Sequence, residues 1–408
     1  MTSAADSGTY FRKGFGLKAD VEGELSADYS GGIVDYLREN DYTLVEAGVT
    51  IRLAREFGFC YGVERAVEYA YQTRRKFPGR SLYLVGEIIH NPHVNDRLRE
   101  MGVTILDRSE SGFDFSGLGP TDVVILPAFG VTIDDFAALR ALGCVLVDTT
   151  CGSVLNVWKR VEVYARDGFT AIIHGKHHHE ETRATASQVR KHPDGHYLVV
   201  RNMEEAQVVC GFLEGRVARD ALLQRFAPHA VSPGFDPDKH LTRIGVANQT
   251  TMLASESLAI AAEMGAAMER ARGTDARARG FRSFDTICSA TQERQDAVRE
   301  LLGEPLDAMI VIGGFNSSNT ISLTALCSER VPTYHVESPE GIDPLAGTIH
   351  HRLAGVAHNE ATTADWLPAG AIRVGITAGA STPNSKIGEA VQRIFETRAM
   401  HTKTAAGR

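Results

Sequence analysis

Residues 143–161 read GCVLVDTTCGSVLNVWKRV. CVLVD is a short apolar run of the kind that forms a buried strand. Val154, Val157, Trp158 and Val161 then fall on one face of a helix. Cys151 stands at the turn between them. The arrangement recurs twice. TIRLAREFGFC (50–60) ends on Cys60, and Val63, Ala66, Val67, Ala70 and Tyr71 follow at helical spacing. FRSFDTIC (281–288) ends on Cys288, and Ala297, Val298 and Leu301 line up after it.

The echo extends to two further runs in each third of the chain. LYLVGEIIHNPH (82–93), AIIHGKHHHEET (171–182) and MIVIGGFNSSNT (309–320) each end in a polar loop. VVILPAFGVT (123–132), RIGVANQTT (243–251) and RVGITAGAST (373–382) each end in small residues. The expected fold class is α/β, with three pseudo-repeated units that each carry a small parallel sheet. Such sheets place ligands beyond the carboxyl ends of their strands. Around a common axis the loops would meet at one centre; the alternative is three ordinary α/β domains whose loops never meet. The expected boundaries are an N-terminal extension (1–50), units at 51–148, 149–282 and 283–385, and a C-terminal helix and tail (386–408). The second unit carries an insertion near 203–242, whose SPGFDPDKH (232–240) reads as a surface excursion. GGIVDYLREN predicts a helix, Thr132 with Asp135 a capping box, Thr382-Pro383 a helix start, and MHTKTAAGR disorder.

The chain has 408 residues, 43% hydrophobic and 23% charged, which fits two to four soluble domains. No stretch reaches the ~18 apolar residues of a membrane span. A net charge of −8 argues against general polyanion binding. The Arg-rich run 270–282 reads as a solvated linker, or else as a docking patch for an acidic protein. The start MTSAADSGTYFRKGFG has no apolar core of a secretion signal, so a bacterial cytoplasm is expected, with a plastid stroma as the alternative. Six cysteines are too sparse for a disulfide framework. Cys144, Cys210 and Cys327 sit in apolar settings and read as core packing.

Cys60, Cys151 and Cys288 are candidate metal ligands. A zinc site usually draws a close Cys pair, and none exists here. An iron–sulfur cluster tolerates scattered ligands, and three cysteines on a [4Fe–4S] cube leave one iron open as a Lewis acid. The remaining loops supply His90, Asn91, His179, Glu181, Thr250, Thr251, Ser317, Ser318, Asn319 and Ser381. Hydroxyls and backbone N–H groups at helix starts are phosphate ligands, although capping is the plainer role for any single Ser or Thr. His179 and Glu181, at i and i+2, would share a face of an extended chain. Burial beside anions would raise the Glu181 pKa and suit it to donate a proton. No phosphate-binding P-loop, dinucleotide fingerprint, GxSxG elbow or HExxH is present.

FGFCYGVERAV, GEIIHNPHVNDRL, VDTTC, HGKHHHEETRATAS, VANQTTML, ICSATQERQDAV, GGFNSSNT and TAGAST resemble, in order, the motifs of the 4-hydroxy-3-methylbut-2-enyl diphosphate reductase family. The resemblance covers roughly residues 9–395. YFRKGFG, PAFG and the 232–240 insertion are similar to its longer, cyanobacterial and plant form. It implies a trefoil of three α/β domains around one [4Fe–4S] cluster held by Cys60, Cys151 and Cys288. It implies diphosphate and hydroxyl contacts from His90, His179, Thr250, Ser317, Ser318, Asn319 and Ser381, a proton-delivering Glu181, and Thr291 nearby. It implies reductive dehydroxylation of the allylic diphosphate to isopentenyl and dimethylallyl diphosphate, with ferredoxin or flavodoxin as electron donor. Phe129 stands where the short form has a diphosphate-contacting His. Gly152, Leu155 and Asn156 replace the family's Pro, Thr and Lys, and Gly152 is expected to loosen the Cys151 loop. The alternatives are a cluster-bearing redox or oxygen sensor and a cluster-dependent dehydratase acting on another substrate.

Overall fold

The apolar runs become parallel strands buried on both faces. VVIL (123–126), VLVD (145–148), TAIIH (170–174), IGVAN (244–248) and AMIVI (308–312) are buried at every position, which is why they read as continuous rather than alternating. The computed structural model describes residues 8–226, 228–353 and 359–406. They group into two compact units. Among the described residues, one comprises those within 8–13, 79–86 and 103–288, and the other those within 14–78, 87–102 and 289–406.

The first unit holds two parallel sheets. A five-stranded sheet has the order Tyr10–Phe11, Val145–Asp148, Val123–Leu126, Leu82–Val85, Val103–Leu106. A four-stranded sheet has the order Tyr197–Val200, Thr170–His174, Ile244–Asn248, Phe281–Ser283. Val157, Val161 and Tyr164 of the helix Gly152–Arg166 join the core of the four-stranded sheet. The helix after Cys151 therefore packs on a different sheet from the strand before it. Each fully buried Val, Leu or Ile contributes roughly 1.5–3 kcal/mol.

The second unit holds one mixed sheet. Thr333–Val336, Ala308–Ile312, Ile372–Ala378 and Val49–Leu53 run parallel, with antiparallel strands added at both edges. Val49–Leu53, which spans the expected boundary between the N-terminal extension and the first α/β unit, thus pairs with a strand more than 300 residues away. Strand pairing follows register in space, and nothing local in TIRL announces the partner.

Several local expectations are corrected. The insertion near 203–242 is no surface excursion: its helices Met203–Leu213 and Arg219–Phe226 bury Ala206, Val209, Cys210, Leu222 and Phe226 in the core, and Phe235 of SPGFDPDKH joins them. The Arg-rich run is no linker, and its arginines are largely exposed. It ends the helix Ala254–Arg272 and forms Thr274–Gly280 and Phe281–Ser283. Arg270 pairs with Glu214 and Glu263, Arg277 with Glu269, and Arg282 with Asp167. The helix start expected at Thr382-Pro383 is present, with the helix Asn384–Ala406 beginning just after it and the Thr382 hydroxyl donating to the Ile312 carbonyl at 3.0 Å. That helix continues through most of the tail read as disordered, because no Gly or Pro interrupts it before Gly407; residues 407 and 408 lie outside the described residues. The capping box at Thr132 is present, with the Asp135 N–H donating to its hydroxyl at 3.2 Å. The helix Gly32–Glu39 is present, and Lys18–Tyr29 precedes it.

Candidate active site

All three candidate ligand cysteines stand immediately before a helix. Cys60 precedes Tyr61–Lys76, Cys151 precedes Gly152–Arg166, and Cys288 precedes Ser289–Leu301. Neither Cys60 nor Cys151 caps its helix through the side chain. All six cysteines are thiols, and they divide by environment. Cys144, Cys210 and Cys327 are buried, and burial pushes the last two up to about 12, so they stay protonated packing groups. Cys60, Cys151 and Cys288 are half-buried, each directly before a helix N-terminus. Soft sulfur donors suit an iron–sulfur cluster, so the donor set fits the group the family motifs imply.

In the first unit, Glu181 lies in the first turn of the helix Glu180–Ser187 and is 1% exposed. The Thr250 N–H donates to its Oε1 at 2.6 Å, and the Thr250 hydroxyl lies 2.9 Å from its Oε2. An ionised Glu181 accepts both hydrogens; a protonated one turns its own O–H onto Thr250 Oγ1. The Thr250 carbonyl in turn accepts the N–H of Cys288 at 3.2 Å. His179 and Glu181 do not share a face of extended chain as the sequence suggested. His179 is the N-cap, and its Nδ1 accepts the Glu181 N–H at 3.2 Å. In the neutral ring that leaves the hydrogen on Nε2. Phe129 packs edge-on against the His179 ring, with centroids 5.5 Å apart. Gly130 beside it has φ +74°, and a Cβ there would come within 2.3 Å of Trp158.

The Cys151 loop is tied, not loose. The Cys151 N–H bonds the Ala128 carbonyl at 2.9 Å, and the Thr150 N–H bonds Asp148 Oδ1 at 3.0 Å. The other Asp148 oxygen accepts the Tyr10 hydroxyl at 2.6 Å and pairs with Arg12 at 3.2 Å. The N-terminal YFR stretch thereby braces the loop. Gly152 begins the helix, and a Cβ there would meet nothing within 4 Å.

In the second unit, the helix Ser318–Ser328 starts from the GGFNSSNT loop. Ser317 is its N-cap, taking the Thr320 hydroxyl at 3.0 Å. Asn319 Oδ1 accepts the Ala380 N–H at 2.9 Å, while Asn319 Nδ2 and Ser318 Oγ are buried with no hydrogen-bond partner among the described residues. Buried donors of this kind, at a helix N-terminus, are the fitting of an anion site. His90 is buried, with Nδ1 2.7 Å from Glu87, and its carbonyl accepts the Ser381 hydroxyl at 3.0 Å. A Cβ on Gly314 would come within 2.6 Å of that carbonyl. Asn91 caps the helix Pro92–Glu100, and the Cys60 N–H bonds the Ala380 carbonyl at 3.2 Å. Thr291 is fully buried in the helix Ser289–Leu301.

A sequence profile described as LytB protein matches residues 51–395. The chain belongs to the LytB protein family. It is 49% identical to a 4-hydroxy-3-methylbut-2-enyl diphosphate reductase from Gloeobacter violaceus, over 98% of this chain and 95% of that one. It is 47% identical to the enzyme of that name from Trichormus variabilis, over 96% of each chain. Among solved structures, that of (E)-4-hydroxy-3-methyl-but-2-enyl diphosphate reductase, the terminal enzyme of the non-mevalonate pathway, aligns with TM-score 0.51 and 29% identity. The alignment covers 85% of this chain and 99% of that one. The Plasmodium falciparum reductase structure shares the fold, with TM-score 0.60 at 19% identity over 84% of this chain and 86% of that one. Among the described residues of this LytB chain, no helix is long and apolar enough to cross a membrane.

Reading the LytB sequence alone missed three supporting residues: Asp148, Gln249 and Arg294. Gln249 Oε1 receives the Lys176 N–H at 3.1 Å and the Thr182 hydroxyl at 3.0 Å, joining two polar loops. Each stands inside a motif the sequence displays, but which groups it bonds depends on elements far away in the chain.

Proposed function

We propose that this LytB chain reductively removes the 4-hydroxyl of 4-hydroxy-3-methylbut-2-enyl diphosphate. The C4–O bond breaks, two electrons and two protons enter, and isopentenyl and dimethylallyl diphosphate and water leave. The observation that carries the reading is a buried carboxyl, Glu181, held at both oxygens by Thr250 in a chain of this family. Cys60, Cys151 and Cys288 would hold one [4Fe–4S] cluster at the centre of a trefoil of three α/β domains. When bound, the cluster supplies single electrons and an open iron of Lewis-acid character.

The protein's own groups do the rest. Glu181 holds a proton at Oε2 against the Thr250 hydroxyl and passes it to the departing oxygen, which leaves as water. His179 offers its Nε2–H to the substrate, with the ring fixed by its cap and by Phe129. Ser318 Oγ and Asn319 Nδ2 donate to the diphosphate, joined by Ser317, Ser381, His90 and the helix N-terminus. Thr291 lies close to the same substrate. Binding the diphosphate orients the carbon chain for the proton transfer. A soluble one-electron donor, ferredoxin or flavodoxin, reduces the enzyme in a bacterial cytoplasm.

The test is anaerobic turnover of the hydroxylated diphosphate with reduced viologen, on protein whose iron and sulfide have been counted. Formation of the two isomers at about four irons per chain is expected. A loaded protein with no turnover would turn the reading toward a sensor. Loss of water without electron uptake would turn it toward a dehydratase.

A further inference from the structure

Arg294 lies on the helix Ser289–Leu301 and is 3% exposed. Its Nη1 donates to the Ala290 carbonyl at 2.9 Å, and its Nη2 to the carbonyls of Gly58 at 2.7 Å and Phe57 at 3.4 Å. Its Nε is buried and has no hydrogen-bond partner among the described residues. All its partners are neutral carbonyls, and among the described residues no carboxylate pairs with it. A buried guanidinium without a counter-anion is costly, and proteins rarely keep one that nothing compensates. The position explains the tolerance. Gly58 lies two residues before Cys60, and Arg294 lies six residues after Cys288.

We propose that Arg294 is a positioning residue for the cysteine-held cluster. Its planar fork ties the helix that follows Cys288 to the loop that presents Cys60. Its fixed positive charge offsets the negative charge that three thiolates and the cluster bring. The inference rests on the proposed function only in that Cys60 and Cys288 are ligands. Lysine keeps the charge but lacks the fork; glutamine loses the charge.

The experiment compares wild type, Arg294→Lys and Arg294→Gln after anaerobic reconstitution. It reads iron loss to a chelator and the midpoint potential of the cluster. Both variants should release iron about tenfold faster. Arg294→Gln should also shift the potential to more negative values, while Arg294→Lys stays near wild type. If Arg294→Gln does not fold, Arg294→Lys decides alone, and faster iron loss at a near wild-type potential supports the proposal. Wild-type iron release in Arg294→Lys, with an unshifted potential in any folded Arg294→Gln, overturns it. A wild-type protein that binds no iron would instead overturn the cluster reading itself.

Discussion

At the start of the helix Glu180–Ser187, the buried Glu181 has both carboxyl oxygens engaged by Thr250. At the start of the helix Ser318–Ser328, Ser318 Oγ and Asn319 Nδ2 are equally buried and engage no partner. Both regions are polar loops at the carboxyl ends of parallel strands, and a sequence reader gives them the same description. The first is closed on itself in either protonation state of Glu181, which suits a group that must hold and release a proton. The second carries buried donors that no described residue satisfies, which suits a group that receives an anion. The two regions, alike in residue type, differ in hydrogen-bond satisfaction, and on the proposed function that difference is what assigns them different roles.

The sharpest way to break the comparison is Glu181→Gln. The amide can still occupy the Thr250 cradle, so cluster content should stay at the wild-type level while turnover falls by about 10²–10⁴-fold. Turnover near wild type would strip Glu181 of its proton role.

The next largest effect is one the two regions share. His174 ends the strand before the Glu181 loop, and the His335 ring bonds the Gly313 carbonyl at the base of the Ser318 loop. Burial lowers both to about 4, from 6.5 in the unfolded chain. The unfolded state therefore binds the extra protons between pH 6.5 and 4. The stability each neutral ring contributes, on the order of 3 kcal/mol, is complete above pH 6.5 and lost as the pH falls toward 4. Urea midpoints measured from pH 7 to 4.5 should drop, and His335→Gln should flatten that slope. An equal slope in the variant would show that His335 has no part in it.

Thr250→Val against Ser318→Ala tests the comparison itself. Without ligand, Thr250→Val should destabilise the protein by ~1–3 kcal/mol, because Glu181 loses a partner, whereas Ser318→Ala should be neutral. With substrate, Ser318→Ala should raise KM about tenfold or more, as expected for one hydrogen bond to a charged group. Equal ligand-free destabilisation by the two changes would erase the distinction drawn above. The smallest effect concerns the Cys151 loop. Gly152→Ala should stabilise the chain by ~0.4–1 kcal/mol in urea unfolding, since a Cβ meets nothing there and the unfolded state loses freedom. Destabilisation would mean that the loop needs a glycine after its cysteine.

Much of the architecture was legible because it is local. The apolar runs, the three cysteine turns and the helix faces after them follow from residues within about twenty positions of one another. The burial of Cys144, Cys210 and Cys327 was equally readable, since apolar neighbours in the chain remained apolar neighbours in the fold. What escaped was long-range. Val49–Leu53 pairs with Ile372–Ala378, Tyr10 and Arg12 brace Asp148, and Arg294 bonds a loop more than 230 residues upstream. His179 and Glu181 were misjudged for a related reason. Their spacing was read with the period of a strand, and a helix start placed there changes which atoms of the two residues meet.

The sequence by itself determined the α/β class, the order of strand, cysteine and helix, and the set of polar loops, because periodicity and turn chemistry act over short stretches. Only the tertiary structure decided which polar groups are satisfied. A hydroxyl at a helix start reads the same whether it caps, as Ser317 does, or stands buried and unbonded, as Ser318 does. The difference depends on which distant carbonyl or amide packs beside it, and that is a property of the folded chain.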